Sequence, residues 1–110
     1  MPSTTPKILG QNKPDAGVDT NLFTVPAGKQ VQFSLFVCNQ SSDIDRFTIA
    51  LIPAGEAEIP SQYIAYDTPL IGNGVFAASG LYLNGNDQVK VMSIGGNFSF
   101  TATGILIDPV

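Results

Sequence analysis

Residues 29–39, KQVQFSLFVCN, decide the fold. Val31, Phe33, Leu35 and Val37 occupy alternate positions, with Gln30, Gln32 and Ser34 between them. A period of two belongs to an extended chain with one face in a core and the other outside it. At Phe36 and Cys38 the polar half of the alternation gives way to apolar side chains, so that end of the strand is expected to be covered on both sides.

The same period spreads in both directions. NLFTV (21–25) is a short strand stopped by the turn Pro26-Ala27-Gly28. RFTIALI (46–52) alternates Phe47, Ile49 and Leu51, but Ala50 and Ile52 make its second face apolar too, the pattern of a strand buried on both sides. A loop, PAGEAEIPS (53–61), leads to the extended segment QYIAYDTPLI (62–71), which Pro69 places at a sheet edge or a bulge. After VFAAS, the stretch GLYLNGNDQVKVMS (80–93) reads as a hairpin around Asn84-Gly85-Asn86-Asp87. In NFSFTATGILI (97–107), Gly104 is expected to mark a bulge.

Residues 1–20 hold one apolar pair, Ile8-Leu9, among Pro, Thr, Asn, Asp and Gly. They predict an extended N-terminal arm outside a sandwich domain of 21–110. Such an arm is either a frayed terminus or a strap over a neighbouring subunit, anchored by Ile8 and Leu9. In the second case, deleting residues 1–14 is expected to weaken assembly and leave a folded monomer. Eight or nine short strands with no helical stretch predict an all-β fold, an antiparallel two-sheet β-sandwich of jelly-roll or immunoglobulin-like type. A small closed barrel ranks second.

Composition narrows the functions. A chain of 110 residues makes one domain that folds unaided. Charged residues are 13% of it, against about 25% in an average soluble domain. Its surface is therefore covered largely by Ser, Thr, Asn, Gln and small apolar groups, as interfaces are. The net charge is −4 and the five basic residues are dispersed, which argues against nucleic acid as a partner. No apolar run is long enough to cross a membrane as a helix, and residues 1–14 do not read as a secretory signal. With one cysteine there is no intrachain disulfide, and Cys38 reads as an inert packed thiol.

Little in the chain points to chemistry. With no histidine, the commonest general base and metal ligand are both missing. Neither G-x-S-x-G nor S-x-x-K spacing occurs. The oxygen clusters Asp43-x-Asp45 and Asn84–Asp87 are candidates for Ca²⁺, though the second is also what a tight turn requires. No catalytic residue, metal or cofactor is expected. Tyr63 and Tyr66, three apart in an extended segment, are expected on opposite faces, one packed at a corner and the other outward. With Asp67-Thr68-Pro69 they read as a structural corner; the alternative is an exposed tyrosine that contacts a partner protein or a glycan.

Seven short motifs follow one another in order: LGQ (9–11), LFTVPAGK (22–29), VCNQSS (37–42), FTIALIPAG (47–55), YIAYDTPL (63–70), GLYLNGNDQVKV (80–91) and NFSFTATG (97–104). Together they resemble a family of small virion structural proteins of tailed bacteriophages, over nearly the whole chain from Leu9. In that pattern a histidine often precedes Tyr-Ile-Ala-Tyr and a basic residue often follows Cys-Asn; Gln62 and Gln40 stand there instead. The resemblance implies a non-enzymatic part of the particle, made in the bacterial host cytoplasm: a head decoration or cement protein, or a neck or tail accessory. Other virion proteins are then the partners, and a homo-oligomer, taken as a trimer, the expected state. The residues expected at interfaces are Ile8, Leu9, Phe36, Ile52, Tyr63 and Tyr66. The alternative is a β-sandwich module that recognises a bacterial surface glycan.

Overall fold

A computed structural model describes residues 2–109. Eight strands carry the chain: β1 (Ser3–Asn12), β2 (Thr20–Thr24), β3 (Gln30–Asn39), β4 (Asp45–Ile52), β5 (Tyr63–Leu70), β6 (Val75–Asn84), β7 (Gln88–Ser93) and β8 (Phe98–Asp108). One 3-10 turn, Pro60–Gln62, precedes β5. Two four-stranded antiparallel sheets form, in the orders β1-β8-β3-β6 and β2-β7-β4-β5. Strands 1 and 8, 2 and 7, 3 and 6, and 4 and 5 are partners, as in one long hairpin rolled into two layers. That is the jelly roll.

Between the layers lies the core that the alternation predicted. Val31, Phe33, Leu35 and Val37 of β3 meet Phe47 and Ile49 of β4, with Val89 and Val91 of β7 and Phe98, Phe100 and Ala102 of β8. Phe47 is the hub of an aromatic cluster, its ring centroid 5.1 Å from that of Phe76 and 5.3 Å from that of Phe98.

Three expectations are corrected, and a fourth, the burial of β4 on both faces, is met within the chain. Residues 3–12 are extended but lie within the sandwich: β1 is hydrogen-bonded along β8 from Ser3↔Asp108 to Asn12↔Phe100. Removing residues 1–14 therefore strips an edge strand and uncovers β8. The stretch 80–93 is not a hairpin, because β6 and β7 lie in different sheets. Its turn has the required chemistry, with Asn86 at φ 67° and Asp87 N–H donating to Asn84 O at 3.1 Å, yet it carries the chain across the sandwich. Gly104 holds no bulge, since β8 keeps unbroken register with β3 through that residue. A Cβ there would come within 2.1 Å of Gln32 O, so glycine is needed for close backbone approach. The bulge lies on β6, where Ser79 and Gly80 (φ 73°) face the register shift between Phe33 and Leu35. Lastly, β4 is covered on its outer side within the chain: the 3-10 turn packs on it, and Ala50 and Ile52 are buried.

The edge strands are all interrupted. β1 carries Pro6 and a register shift at Leu9, β2 shifts at Leu22, and β6 has the bulge just described. β5 shifts twice and carries Pro69, which confirms its edge position. Bulges and prolines of this kind block edge-to-edge pairing with another chain.

Candidate interaction surfaces

The register assigns the outer face of the β1-β8-β3-β6 sheet. From β1 it takes Thr4, Pro6, Ile8 and Gln11, and from β8 Ser99, Thr101, Thr103, Ile105 and Ile107. From β3 come Gln30, Gln32, Ser34, Phe36 and Cys38, paired on β6 with Asn84, Tyr82, Ala77 and Val75. None of these side chains is charged. Lys7 and Asp108, the charged residues of these four strands, belong to the opposite parity, and Asp108 accepts from Lys29 Nζ at 2.6 Å at the end of the sheet. Four strands about 4.8 Å apart and about ten residues long give this face about 600 Å².

Phe36 (42% exposed) and Ile8 (57% exposed) both lie on this face, as expected of contact residues. Phe36 and Cys38 are uncovered, contrary to the expectation of a doubly covered strand end, and Cys38 is a half-buried surface thiol rather than a core one. Leu9 turns inward at its bulge and packs against the core. Ile52 is only 3% exposed and is removed from the interface set, because the 3-10 turn covers its face of β4.

The tyrosines lie on the other sheet, and on one face rather than two. In β5, Ala65 pairs with Ile49 and Tyr63 with Ala50, so Ile64 is an extra residue that shifts the alternation. The Tyr63 and Tyr66 rings therefore meet, with centroids 4.9 Å apart and planes tilted by 48°. Tyr66 is 69% exposed. With Pro60 the two rings line an open cleft of about 560 Å³. Asp67 is not in a simple turn: it sits in the second irregularity of β5 at φ 48°, its N–H donating to Thr48 Oγ1 at 3.1 Å.

Beside the cleft, the Asp19 and Glu58 carboxyl groups lie close enough to affect each other. The Tyr63 hydroxyl donates to Glu58 Oε2 at 2.9 Å, while Glu58 Oε1 is buried with no donor among the described residues. Burial first, then the hydrogen bond to Glu58 and its charge, push the Asp19 pKa up from 3.8 to about 6, against the opposing pull of Lys90. Lys90 Nζ is 4.0 Å from Asp19 Oδ2. The Tyr63 hydroxyl is also pushed up, chiefly by its bond to Glu58.

Of the candidate calcium ligands, Asp45 and Asp87 are hydrogen-bonded within the chain. Asp87 Oδ1 accepts from Ala54 N–H and Oδ2 from Asn84 N–H, both at 2.8 Å. Asp45 accepts from the N–H groups of Arg46 and Gly95 and from Asn97 Nδ2. Among the described residues no group of three or more His, Cys, Asp or Glu side chains could hold a metal ion. No helix among them is long and apolar enough to cross a membrane.

Sequence reasoning missed Asn39. It is fully buried, and its Nδ2 donates to the carbonyls of Asp43, Leu70 and Ile71 at 2.9, 3.0 and 3.1 Å, while Oδ1 accepts from Ser41 N–H at 3.0 Å. It ties the β3–β4 turn to the end of β5. Asparagine at the end of an apolar strand, just before Gln-Ser-Ser, was the available signal. Gln62 does a similar task in the loop over β4, accepting from Ile59 N–H and donating to Ala57 O, both at 2.9 Å.

Fold and surfaces together define a jelly-roll β-sandwich module with one charge-free sheet face and one tyrosine cleft. No protein-family model matches the chain, and no curated protein does. Among solved structures, it is similar to part of the infectious bursal disease virus T13 viral particle, at 14% identity and a TM-score of 0.49, over 96% of this chain and 30% of that one. The infectious bursal disease virus VP2 subviral particle gives 18% identity and a TM-score of 0.45, over 96% and 32%. A GH26-CBM35 β-(1,4)-mannanase of Podospora anserina gives 14% and 0.37, over 99% and 28%. The chain thus spans about a third of the length of the solved chains it matches. At these scores the likeness assigns neither chemistry nor partner.

Proposed function

We propose that this chain is a non-enzymatic structural subunit of a tailed-bacteriophage particle that acts through its interfaces, as a head decoration or cement protein or a neck or tail accessory. The observation that carries the reading is the charge-free outer face of β1-β8-β3-β6. Interface cores are depleted of charge in this way, whereas a surface made to stay in water carries interspersed charges of both signs. The ordered motifs from Leu9 to Gly104 supply the particle class. The test is gold-labelled antibody against this chain on phage particles in negative stain. Label spread over the head supports decoration or cement, and a cluster at neck or tail supports an accessory role. Absence of label from both intact and disrupted particles refutes the reading.

A second reading, a module for a bacterial surface glycan, is favoured by one observation: the β5 bulge brings Tyr63 and Tyr66 together over the cleft. Exposed aromatic faces beside hydrogen-bonding groups suit sugar rings. Under this reading Tyr66→Ala abolishes binding on a glycan array while the melting temperature stays near wild type. Equal binding by the variant refutes it.

A further inference from the structure

We propose that the outer face of the β1-β8-β3-β6 sheet pairs with the same face of a second copy of this chain about a two-fold axis. The inference rests on reading that face as a contact surface and names its occupant. It replaces, at this face, the three-fold association expected from the sequence.

Self-pairing places stricter demands on a surface than pairing with a different protein. Close to a two-fold axis a residue meets itself or a near neighbour, so any charge there faces its own like. None of the strand side chains that the register places on this face is charged; Asp87 comes nearest, at the end of the sheet, and both its oxygens accept backbone N–H groups. Its polar residues are Gln30, Gln32, Ser34, Thr101, Thr103 and their neighbours, and amides and hydroxyls carry donor and acceptor in one group. Such groups can hydrogen-bond to copies of themselves. Carboxylates and ammonium groups cannot.

Relief and area agree. Tyr82, 67% exposed, projects from this face. A depression of about 180 Å³ lies over Gly80 and Gly104, where no side chain fills the surface; another, of about 420 Å³, lies at the end of the sheet, where Asp87 joins Gln30, Asn84 and Ile107 in its lining. A patch that holds both projection and hollow can seat its own copy. Two faces of about 600 Å² remove about 1,200 Å² from water, the lower bound of a specific interface and above most crystal contacts. The bulged edges leave face-to-face packing as the route to association.

The test is sedimentation of the full chain over a concentration series, with the rate at which Cys38 reacts with a thiol reagent as a second readout. Cys38 lies on the face opposite Val75, so it reports coverage. The expected result is a doubling from 11.6 kDa with concentration, and Cys38 slowed several-fold in the dimer. Gln32→Lys places a charge on the face at an exposed position, and it should return the chain to a monomer with a fast thiol and an unchanged melting temperature. Thr103→Lys serves as the second variant should Gln32→Lys fail to fold. A chain that stays monomeric at its highest soluble concentration overturns the pairing, as does a trimer, or a dimer that both lysine variants preserve. Gold label on particles combined with a monomer sinks this inference and leaves the virion reading intact; a dimer without label does the reverse.

Discussion

Replacing Glu58 by glutamine is expected to stabilise the protein at pH 7 and to leave it unchanged at pH 4. In the wild type the folded state raises the Asp19 pKa from 3.8 to about 6, because the Asp19 carboxyl is partly buried and bonded to Glu58. A group whose pKa rises on folding holds its proton more tightly in the native state. Its contribution is complete below pH 3.8 and is lost as pH climbs through about 6, where two carboxylates are left facing each other. Fully expressed, that rise corresponds to about 3 kcal/mol. The Asp19 side chain keeps 42% of its surface in water, so screening reduces the whole effect to about 1 kcal/mol; burial, its largest cause, persists in the variant, and the part that Glu58→Gln removes is about 0.5 kcal/mol. Glutamine keeps an acceptor for the Tyr63 hydroxyl and offers an N–H to ionised Asp19, which removes the repulsion. The assay is thermal unfolding of wild type and Glu58→Gln side by side at pH 4, 5, 6 and 7. Paired measurement matters because solubility is lowest near the pI of 4.3. The variant should melt about 2 °C higher at pH 7, with the gap closing toward pH 4. A variant less stable than wild type at pH 7, or a gap that does not change with pH, refutes the influence of Glu58 on Asp19.

Three further outcomes follow from named contacts. Gly104→Ala places a methyl within 2.1 Å of Gln32 O and 2.6 Å of Phe33 Cα, both backbone atoms with no rotamer to yield; it should cost about 3 kcal/mol in urea unfolding. Asn39→Ala leaves the carbonyls of Asp43, Leu70 and Ile71 without their side-chain donor, and a loss of about 3 kcal/mol is expected by the same measurement. Chelation of divalent ions should leave the melting temperature unchanged, because backbone N–H groups already occupy both oxygens of Asp87; a fall on adding EDTA overturns that assignment.

The strands were legible because each buries one face, and period two is written directly into residues such as Val31, Phe33, Leu35 and Val37. What escaped is information that period two does not carry. A turn such as Asn84–Asp87 has the same local chemistry whether the next strand pairs beside the last or crosses to the other sheet, so the 80–93 hairpin was a fair inference with the wrong partner. One inserted residue, Ile64, reverses parity and moved Tyr63 and Tyr66 onto one face. β1 resembles an arm because an edge strand buries little. Ile52 looked available because nothing in the sequence says that the loop after β4 folds back over it. Of the expected contact residues, Ile8 and Phe36 reach the charge-free face, Tyr63 and Tyr66 form a separate cleft, Leu9 turns inward, and Ile52 is covered by the folded-back loop.

The two outer faces of the molecule act as controls for each other. They belong to one chain and share its low charge content, yet Arg46, Glu58, Asp67 and Lys90 all gather on the β2-β7-β4-β5 side, where a folded-back loop also covers the apolar positions of β4. Low charge alone would thin the charges on both faces alike; it does not empty one. A sheet face of about 600 Å² that carries no charge, with Ile8, Phe36, Val75 and Tyr82 exposed among amides and hydroxyls, has the composition of an interface. The edges of the same sheet carry Pro6, the Leu9 shift and the Gly80 bulge, the usual defences against indiscriminate strand pairing. Guarded edges around an unguarded face direct association to a single geometry, the outcome selection for an assembled particle would favour.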